Sequence, residues 1–262
     1  MTVKEKKTVF LIRHAESDEN HRISTFRSAI SGRNLSWESV TTSLGLLNVP
    51  ALVDSPLSPK GKRQVEHMKR VLRGSTSEGE ELRANFIAER SVTLVVHSPL
   101  VRARETCEGM LGYVSATTRS ATDAAAESEG GRTPSSSASE GGGVAVSESG
   151  LLLEKTPSEW VIPGGLQALD DRIQSFESWL ASQDGHSSVA VVGHSQYFKR
   201  MLGLNVKFGN CEVWQVDFDP NWASGESSVN RKDMCEGDVP PPNSSLPRGW
   251  SDLVNVYRCE IE

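Results

Sequence analysis

The chain has 262 residues, of which 37% are hydrophobic and 24% are charged, and this length and composition predict a single domain over residues 1–262. Lys and Arg number 28 against 34 Asp and Glu, so the formal net charge of −6 excludes a general cationic surface for nucleic acid or an anionic membrane. Any anion that binds must therefore be held by local groups.

The N-terminal region and the cysteines predict a cytoplasmic protein. Near the N-terminus only residues 9–12 form an apolar run, which is too short for a secretory signal or a membrane span. The four cysteines form no C-x-x-C pair, so we expect reduced thiols and neither a thiol-redox motif nor a zinc-finger site. They are Cys107, Cys211, Cys235 and Cys259.

Strand and helix patterns alternate along the chain. Three short apolar runs that stop at histidine-containing polar turns are typical of strands buried on both faces of a sheet. In chain order, we predict a strand at 9–12, a helix at 58–74 with Ser58 as N-cap, a strand at 92–96, a helix from about 99 or 100 to 111, a helix from near 166, a strand at 188–192, a helix at 195–204, and an edge strand at 253–261 paired with 212–218. The alternation predicts an α/β fold with an open, mostly parallel sheet flanked by helices.

Two stretches interrupt this alternation. Residues 115–150 are mostly Ser, Gly, Ala, Thr and Glu, and Val144 and Val146 are their only larger apolar residues. Such a segment cannot bury enough surface to offset its ordering entropy, so we predict a disordered insert. Residues 219–250 are rich in Pro, Asn, Ser and Gly, and we predict an irregular excursion that touches the body through two tryptophans, Trp222 and Trp250.

Candidate functional residues follow the predicted strands. Arg13 and His14 come directly after the first strand, and His194 follows the strand at 188–192. Because ligands bind outside the carboxyl ends of strands in open α/β sheets, we expect both imidazoles at one site. Arg102 lies in the first turn of a predicted helix, where a cation is unfavourable unless an anion is present. With Arg13 it forms a guanidinium pair suited to a phosphoryl group, although each residue alone also fits a solvated surface.

The sequence resembles the histidine phosphatase superfamily, also called the phosphoglycerate mutase-like family. The resemblance covers roughly residues 8–204 outside the insert. Its motifs are, in chain order, Arg13-His14-Ala15-Glu16 with Asn20, Leu57-Ser58-Pro59-Lys60-Gly61 with Gln64, Ser98-Pro99-Leu100 with Arg102-Ala103, and Gly193-His194. The chain departs from the family at Ala15 and Ser195, where glycine is common, but both residues are small enough for the backbone to approach a phosphate.

The resemblance implies a phosphoglycerate mutase-like fold and a site built around phosphate. His14 is implied as the nucleophile that accepts the phosphoryl group, with Arg13, Asn20, Arg102 and His194 around it. A neutral imidazole can attack phosphorus, and guanidinium groups can neutralise the charge that is transferred. We therefore expect no metal and no cofactor.

The leaving alcohol still needs a proton, which the family takes from a carboxyl group in the loop after the third element. The best match is Glu154, just after the predicted insert, as general acid in the first half-reaction and general base in the second. Glu148 and Glu159 are neighbouring alternatives that a shifted alignment would select.

The expected function is metal-independent hydrolysis of a small phosphate monoester through a phosphohistidine. Alternatives are a phosphoglycerate mutase or sugar-bisphosphate phosphatase and, from another class, a noncatalytic phosphate-binding scaffold. Both histidines, both arginines and an acid are present, which argues against the scaffold. We expect residues 22–54, which leave the loop beside His14, to form a cap or pocket wall, while the substrate and the oligomeric state are left open.

Overall fold

The computed structural model describes residues 4–20, 54–74, 86–113, 143–154, 165–222, 246–247 and 249–261. Within these ranges, no helix has both the length and the apolar character needed to cross a membrane.

The described residues form one mixed sheet with helices around it. The strands are β1 (Lys7–Arg13), β2 (Leu94–His97), β3 (Ala145–Glu148), β4 (Ser188–Gly193), β5 (Val213–Phe218) and β6 (Trp250–Tyr257). Their order across the sheet is β3-β2-β4-β1-β5-β6. The first four strands in this order are parallel. β5 pairs antiparallel with β1, and β6 pairs antiparallel with β5, so the predicted mostly parallel sheet is confirmed.

Besides a helical segment at residues 18–20, the described ranges hold five α-helices: α1 (Pro59–Leu72), α2 (Phe86–Glu89), α3 (Val101–Leu111), α4 (Gly165–Ala181) and α5 (Ser195–Met201). The start of α1 follows the predicted rule, since Ser58 Oγ accepts from the Gly61 amide at 3.0 Å and Pro59 occupies the first turn. α3 ends at Gly112, whose φ of 79° is left-handed and suits glycine.

The core has one layer on each side of the sheet. Val9 and Leu11 of β1 pack into a cluster that includes residues of α4 and α5. Phe10 and Ile12 point the other way, into a cluster with residues of α1 and α3. Because alternate residues of β1 are buried on opposite faces, the strand is apolar throughout and ends abruptly at charge.

The prediction of a disordered insert at 115–150 is wrong at the C-terminal end of that range. Residues 114–142 lie outside the described residues, but β3 is an ordered strand that pairs with β2 from Ala145 opposite Leu94 to Glu148 opposite His97. The backbone hydrogen bonds of β2 supply the stabilisation that the side chains of β3 lack.

Two strand boundaries also differ from prediction. β2 begins at Leu94 rather than Val92, because the Val92 amide donates to Ile87 O and closes the turn after α2. The edge strand pairs with β5 as predicted but runs from Trp250 to Tyr257.

The predicted excursion at 219–250 is therefore wrong at its end, where Trp250 is a strand residue. Trp222 and Trp250 both pack on the core, as predicted. Residues 223–245 of the excursion, and residues 22–53 of the expected cap, lie outside the described residues.

Candidate active site

The two histidines meet at the carboxyl edge of the parallel strands. β1 and β4 pair with Arg13 opposite Gly193, so His14 and His194 leave the sheet side by side. The His14 amide donates to Gly193 O at 3.0 Å, and the ring centroids are 5.1 Å apart with an interplanar angle of 59°. Both side chains are buried. The structure thus places two neighbouring imidazoles, tilted against each other, at the edge where ligands bind in such sheets.

His14 is held as a neutral imidazole with one nitrogen available. Its Nδ1 lies 2.6 Å from the carbonyl oxygen of Ala15, and because a carbonyl only accepts, Nδ1 carries the hydrogen. Burial lowers the pKa of His14 well below its ordinary value, and the neighbouring His194 lowers it further. The lone pair therefore lies on Nε2, the state that a nucleophile requires.

Arg102, Glu154 and His194 form a connected group beside His14. Arg102 Nη2 donates to Glu154 Oε2 at 2.5 Å, and the same oxygen lies 3.5 Å from His194 Nδ1. The other ring nitrogen of His194 is 2.9 Å from Ser98 Oγ. Burial lowers the pKa of His194 well below its ordinary value, with the charges of Arg102 and Arg13 adding to the effect. The carboxyl group of Glu154, the guanidinium of Arg102 and the imidazole of His194 are thus close enough together to contact one small ligand.

Three buried polar side chains have an atom without a hydrogen-bond partner among the described residues, and two of them are next in sequence to a site histidine. Arg13 donates from Nη1 to Phe208 O at 2.6 Å, but within the described residues its buried Nε has no hydrogen-bond partner. The same holds for Asn20 Nδ2 and Ser195 Oγ, the second directly after His194. Buried donors are seldom left unpaired in proteins, and together with two guanidinium groups they favour an anionic ligand.

The start of α1 clamps the loop that carries His14. Ser58 donates from its amide to Glu16 O and from its hydroxyl to Glu16 Oε1, both at 2.9 Å. Gln64 Oε1 accepts from the Glu16 amide at 2.9 Å, and Thr106 Oγ1 on α3 accepts from the Ala15 amide at 3.0 Å. These contacts explain the Ser58 to Gln64 motif, since they position the backbone of the loop that follows His14.

Gly61 is the tightest point of this clamp, because a Cβ there would lie 2.0 Å from the backbone oxygen of Glu16. We expect Gly61→Ala to lower the free energy of unfolding by at least about 2 kcal/mol, since backbone must move to relieve the overlap. Gly150→Ala is the matched control, because a Cβ at Gly150 meets nothing within 4 Å. Chemical denaturation of the two variants measures the difference, and equal stability would show that the loop does not depend on close approach.

The structure adds two positioning contacts that sequence reasoning missed. Asn210 Nδ2 donates to the carbonyl oxygen of His14 at 3.0 Å. Arg172 on α4 donates from Nη2 to Leu153 O at 3.0 Å, and Glu154 O lies 3.4 Å from the same nitrogen. These partners are distant in sequence, so no local pattern could have indicated them.

Of the three carboxyl candidates, the structure places Glu154 beside the histidines. Glu148 is an exposed residue of β3, and Glu159 lies outside the described residues. A further carboxylate that was not predicted, Glu19, lies 3.8 Å from Arg102 Nη1.

The site also has donor atoms that could hold a metal. Among the described residues, one ligand atom each of His14, Glu154 and His194 lies within 4.8 Å of the others. Two imidazoles and a carboxylate suit a divalent transition metal. The guanidinium groups of Arg13 and Arg102 act on the same two histidines and oppose a dication, whereas the carboxylate of Glu154 favours one.

Comparison with known proteins identifies the family. A family model described as the histidine phosphatase superfamily, branch 1, matches residues 48–224, which is more than half of the chain. The chain belongs to this superfamily, whose members are phosphatases and mutases that use a catalytic histidine. The match includes Arg102, Glu154 and His194 and begins after His14. The predicted phosphoglycerate mutase-like fold is confirmed. A comparison with curated proteins found no match.

Solved structures resemble the chain at low identity. The α-ribazole phosphatase from Shigella flexneri is 15% identical with a TM-score of 0.44, over 80% of this chain and 90% of that one. A phosphoglycerate mutase from Bacillus anthracis is 14% identical with a TM-score of 0.42, over 83% and 90%. A mycobacterial glucosyl-3-phosphoglycerate phosphatase is 13% identical with a TM-score of 0.39, over 80% and 89%. Because the identities and TM-scores are this low, the substrates named for those proteins are not assigned to this chain.

Proposed function

We propose that the protein is a phosphatase that hydrolyses small phosphate monoesters through a phosphohistidine on His14. The observation that carries this proposal is the neutral, buried His14, with Nδ1 bonded to a carbonyl and its ring 5.1 Å from that of His194, in a site supplied with guanidinium groups. A neutral nucleophile among cations is the arrangement that attack on a phosphate dianion requires.

In the first half-reaction, His14 Nε2 attacks phosphorus as the bond to the ester oxygen breaks. Arg13, Arg102 and His194 stabilise the charge on the equatorial oxygens. The alcohol takes its proton from the carboxyl of Glu154. An ester bound against Arg102 also lies next to Glu154, because Arg102 Nη2 and Glu154 Oε2 are 2.5 Å apart.

The second half-reaction reverses these roles with water. Glu154, now a carboxylate, removes a proton from water, and the hydroxyl attacks phosphorus as the bond to His14 Nε2 breaks. Inorganic phosphate leaves and His14 returns to the neutral imidazole. The same residues therefore act in both half-reactions: His14 carries the phosphoryl group, and Arg13, Arg102 and His194 contact its oxygens.

A panel of phosphomonoesters tests the proposal. We expect the purified protein to release phosphate from p-nitrophenyl phosphate and from at least one small phosphorylated metabolite, at the same rate before and after treatment with a chelator. Abolition by the chelator, with recovery on adding a divalent metal, would assign His14, Glu154 and His194 to a metal site instead.

Two other outcomes separate the alternatives. Conversion of 3-phosphoglycerate to the 2-isomer, primed by the bisphosphate and faster than phosphate release, would identify a mutase. Tight binding of inorganic phosphate with no release from any ester would identify a phosphate-binding scaffold.

A further inference from the structure

Arg102 contacts a second carboxylate that the proposed chemistry does not use. Nη1 of Arg102 lies 3.8 Å from Glu19 Oε2, while Nη2 of the same guanidinium holds Glu154. The side chain of Arg102 is 3% exposed and that of Glu19 is 23% exposed. Water and salt therefore screen the charge of Glu19 less than they screen a surface carboxylate.

A backbone hydrogen bond and a helical segment fix the position of Glu19. Its amide donates to Ser55 Oγ at 3.3 Å, and residues 18–20 are helical. Burial raises the pKa of Glu19, Arg102 opposes this, and the carboxylate of Glu154 raises it again. Glu19, Arg102 and Glu154 thus act as one electrostatic cluster at the edge of the histidine site.

In the proposed reaction, the alcohol part of a bound ester lies next to this cluster. In the proposed reaction the phosphoryl group contacts Arg102, and the alcohol oxygen faces Glu154, which protonates it. Because Glu154 and Glu19 lie at the two terminal nitrogens of one planar guanidinium, at 2.5 and 3.8 Å, an alcohol at Glu154 has the carboxylate of Glu19 nearby. The charge of that alcohol then changes the binding free energy of the ester.

We propose, on the basis of the phosphatase activity above, that Glu19 selects the substrate by charge. Its carboxylate disfavours esters whose alcohol bears a carboxylate or a second phosphate, and it favours neutral or ammonium-bearing alcohols. Building like-charge contacts against unwanted ligands is a common route to specificity. The preferred substrates are therefore phosphate monoesters with no anionic group besides the phosphate.

Glycerol phosphate and 3-phosphoglycerate test this directly, because they share a three-carbon skeleton and differ by a carboxylate. We expect kcat/KM to favour glycerol phosphate in the wild type and this preference to fall about 10-fold in Glu19→Gln, which keeps the shape and removes the charge. Glu19→Asp keeps the charge and should retain most of the preference. Glu108→Gln, an exposed change on α3, is the control and should leave the ratio unchanged.

A binding measurement keeps this inference separate from the proposed function. The same two esters can be titrated calorimetrically into His14→Ala and into His14→Ala/Glu19→Gln, neither of which turns them over. A preference for glycerol phosphate that disappears with Glu19→Gln supports the inference even if no ester is hydrolysed by the wild type. A ratio that stays within twofold in Glu19→Gln, or that shifts equally in Glu108→Gln, overturns it.

Discussion

His14→Ala is expected to lower kcat by at least about 10⁴-fold on every phosphomonoester, because it removes the imidazole that we propose accepts the phosphoryl group. The substitution leaves Arg13, Arg102 and His194 in place, so inorganic phosphate should still bind. Stopped assays with p-nitrophenyl phosphate measure the loss, and calorimetry with phosphate measures the retained binding.

His67→Ala is the matched control for this loss, since His67 is a partly buried histidine on α1 away from the site. Its kcat should equal that of the wild type. Mass spectrometry at alkaline pH should find a phosphoryl group on His14 of the wild type during turnover. If His14→Ala keeps more than a tenth of the wild-type activity, His14 is not the nucleophile.

Glu154→Gln is expected to show an effect that depends on the leaving group. An alkyl phosphate releases a strongly basic alkoxide that needs a proton, so its kcat should fall about 10²–10⁴-fold. The p-nitrophenolate anion is stable without a proton, so phosphorylation of His14 by p-nitrophenyl phosphate should be nearly unchanged. Single-turnover measurements on the two esters separate this step from the later attack of water.

Glu148→Gln serves as the control and also tests the alternative choice of acid. Because Glu148 is exposed on β3, the rates on both esters should match those of the wild type. Equal losses on both esters in Glu154→Gln would indicate that the carboxylate holds Arg102 in place rather than supplying a proton.

Much of the fold could be predicted because it follows from local patterns. β1 and β4 are buried on both faces, so their sequences are continuous apolar runs that stop at charge. Ser58 and Pro59 mark the start of α1 through the hydrogen bonds that a helix end requires. The meeting of His14 and His194 follows from parallel strands ending at one edge, once both strands are recognised.

What could not be predicted depends on contacts between distant parts of the chain. β3 is only four residues long, and its exposed and partly buried side chains carry no clear pattern, since β2 supplies its partners. α2 is also four residues long, too short for a helical period to be read. Glu19 contacts Arg102 because two segments more than 80 residues apart in sequence pack together. The spacing of residues within one sequence does not indicate such a contact.

The site residues follow strands that differ in their position in the sheet. His14 and His194 follow β1 and β4 in the interior of the sheet, whereas Glu154 follows a short strand at its margin. Marginal elements open with less free energy than the whole domain. On warming, Glu154, the proposed proton donor, should therefore leave the site while His14 and His194 stay in place. Turnover of alkyl esters should then be lost at a lower temperature than that at which the sheet unfolds.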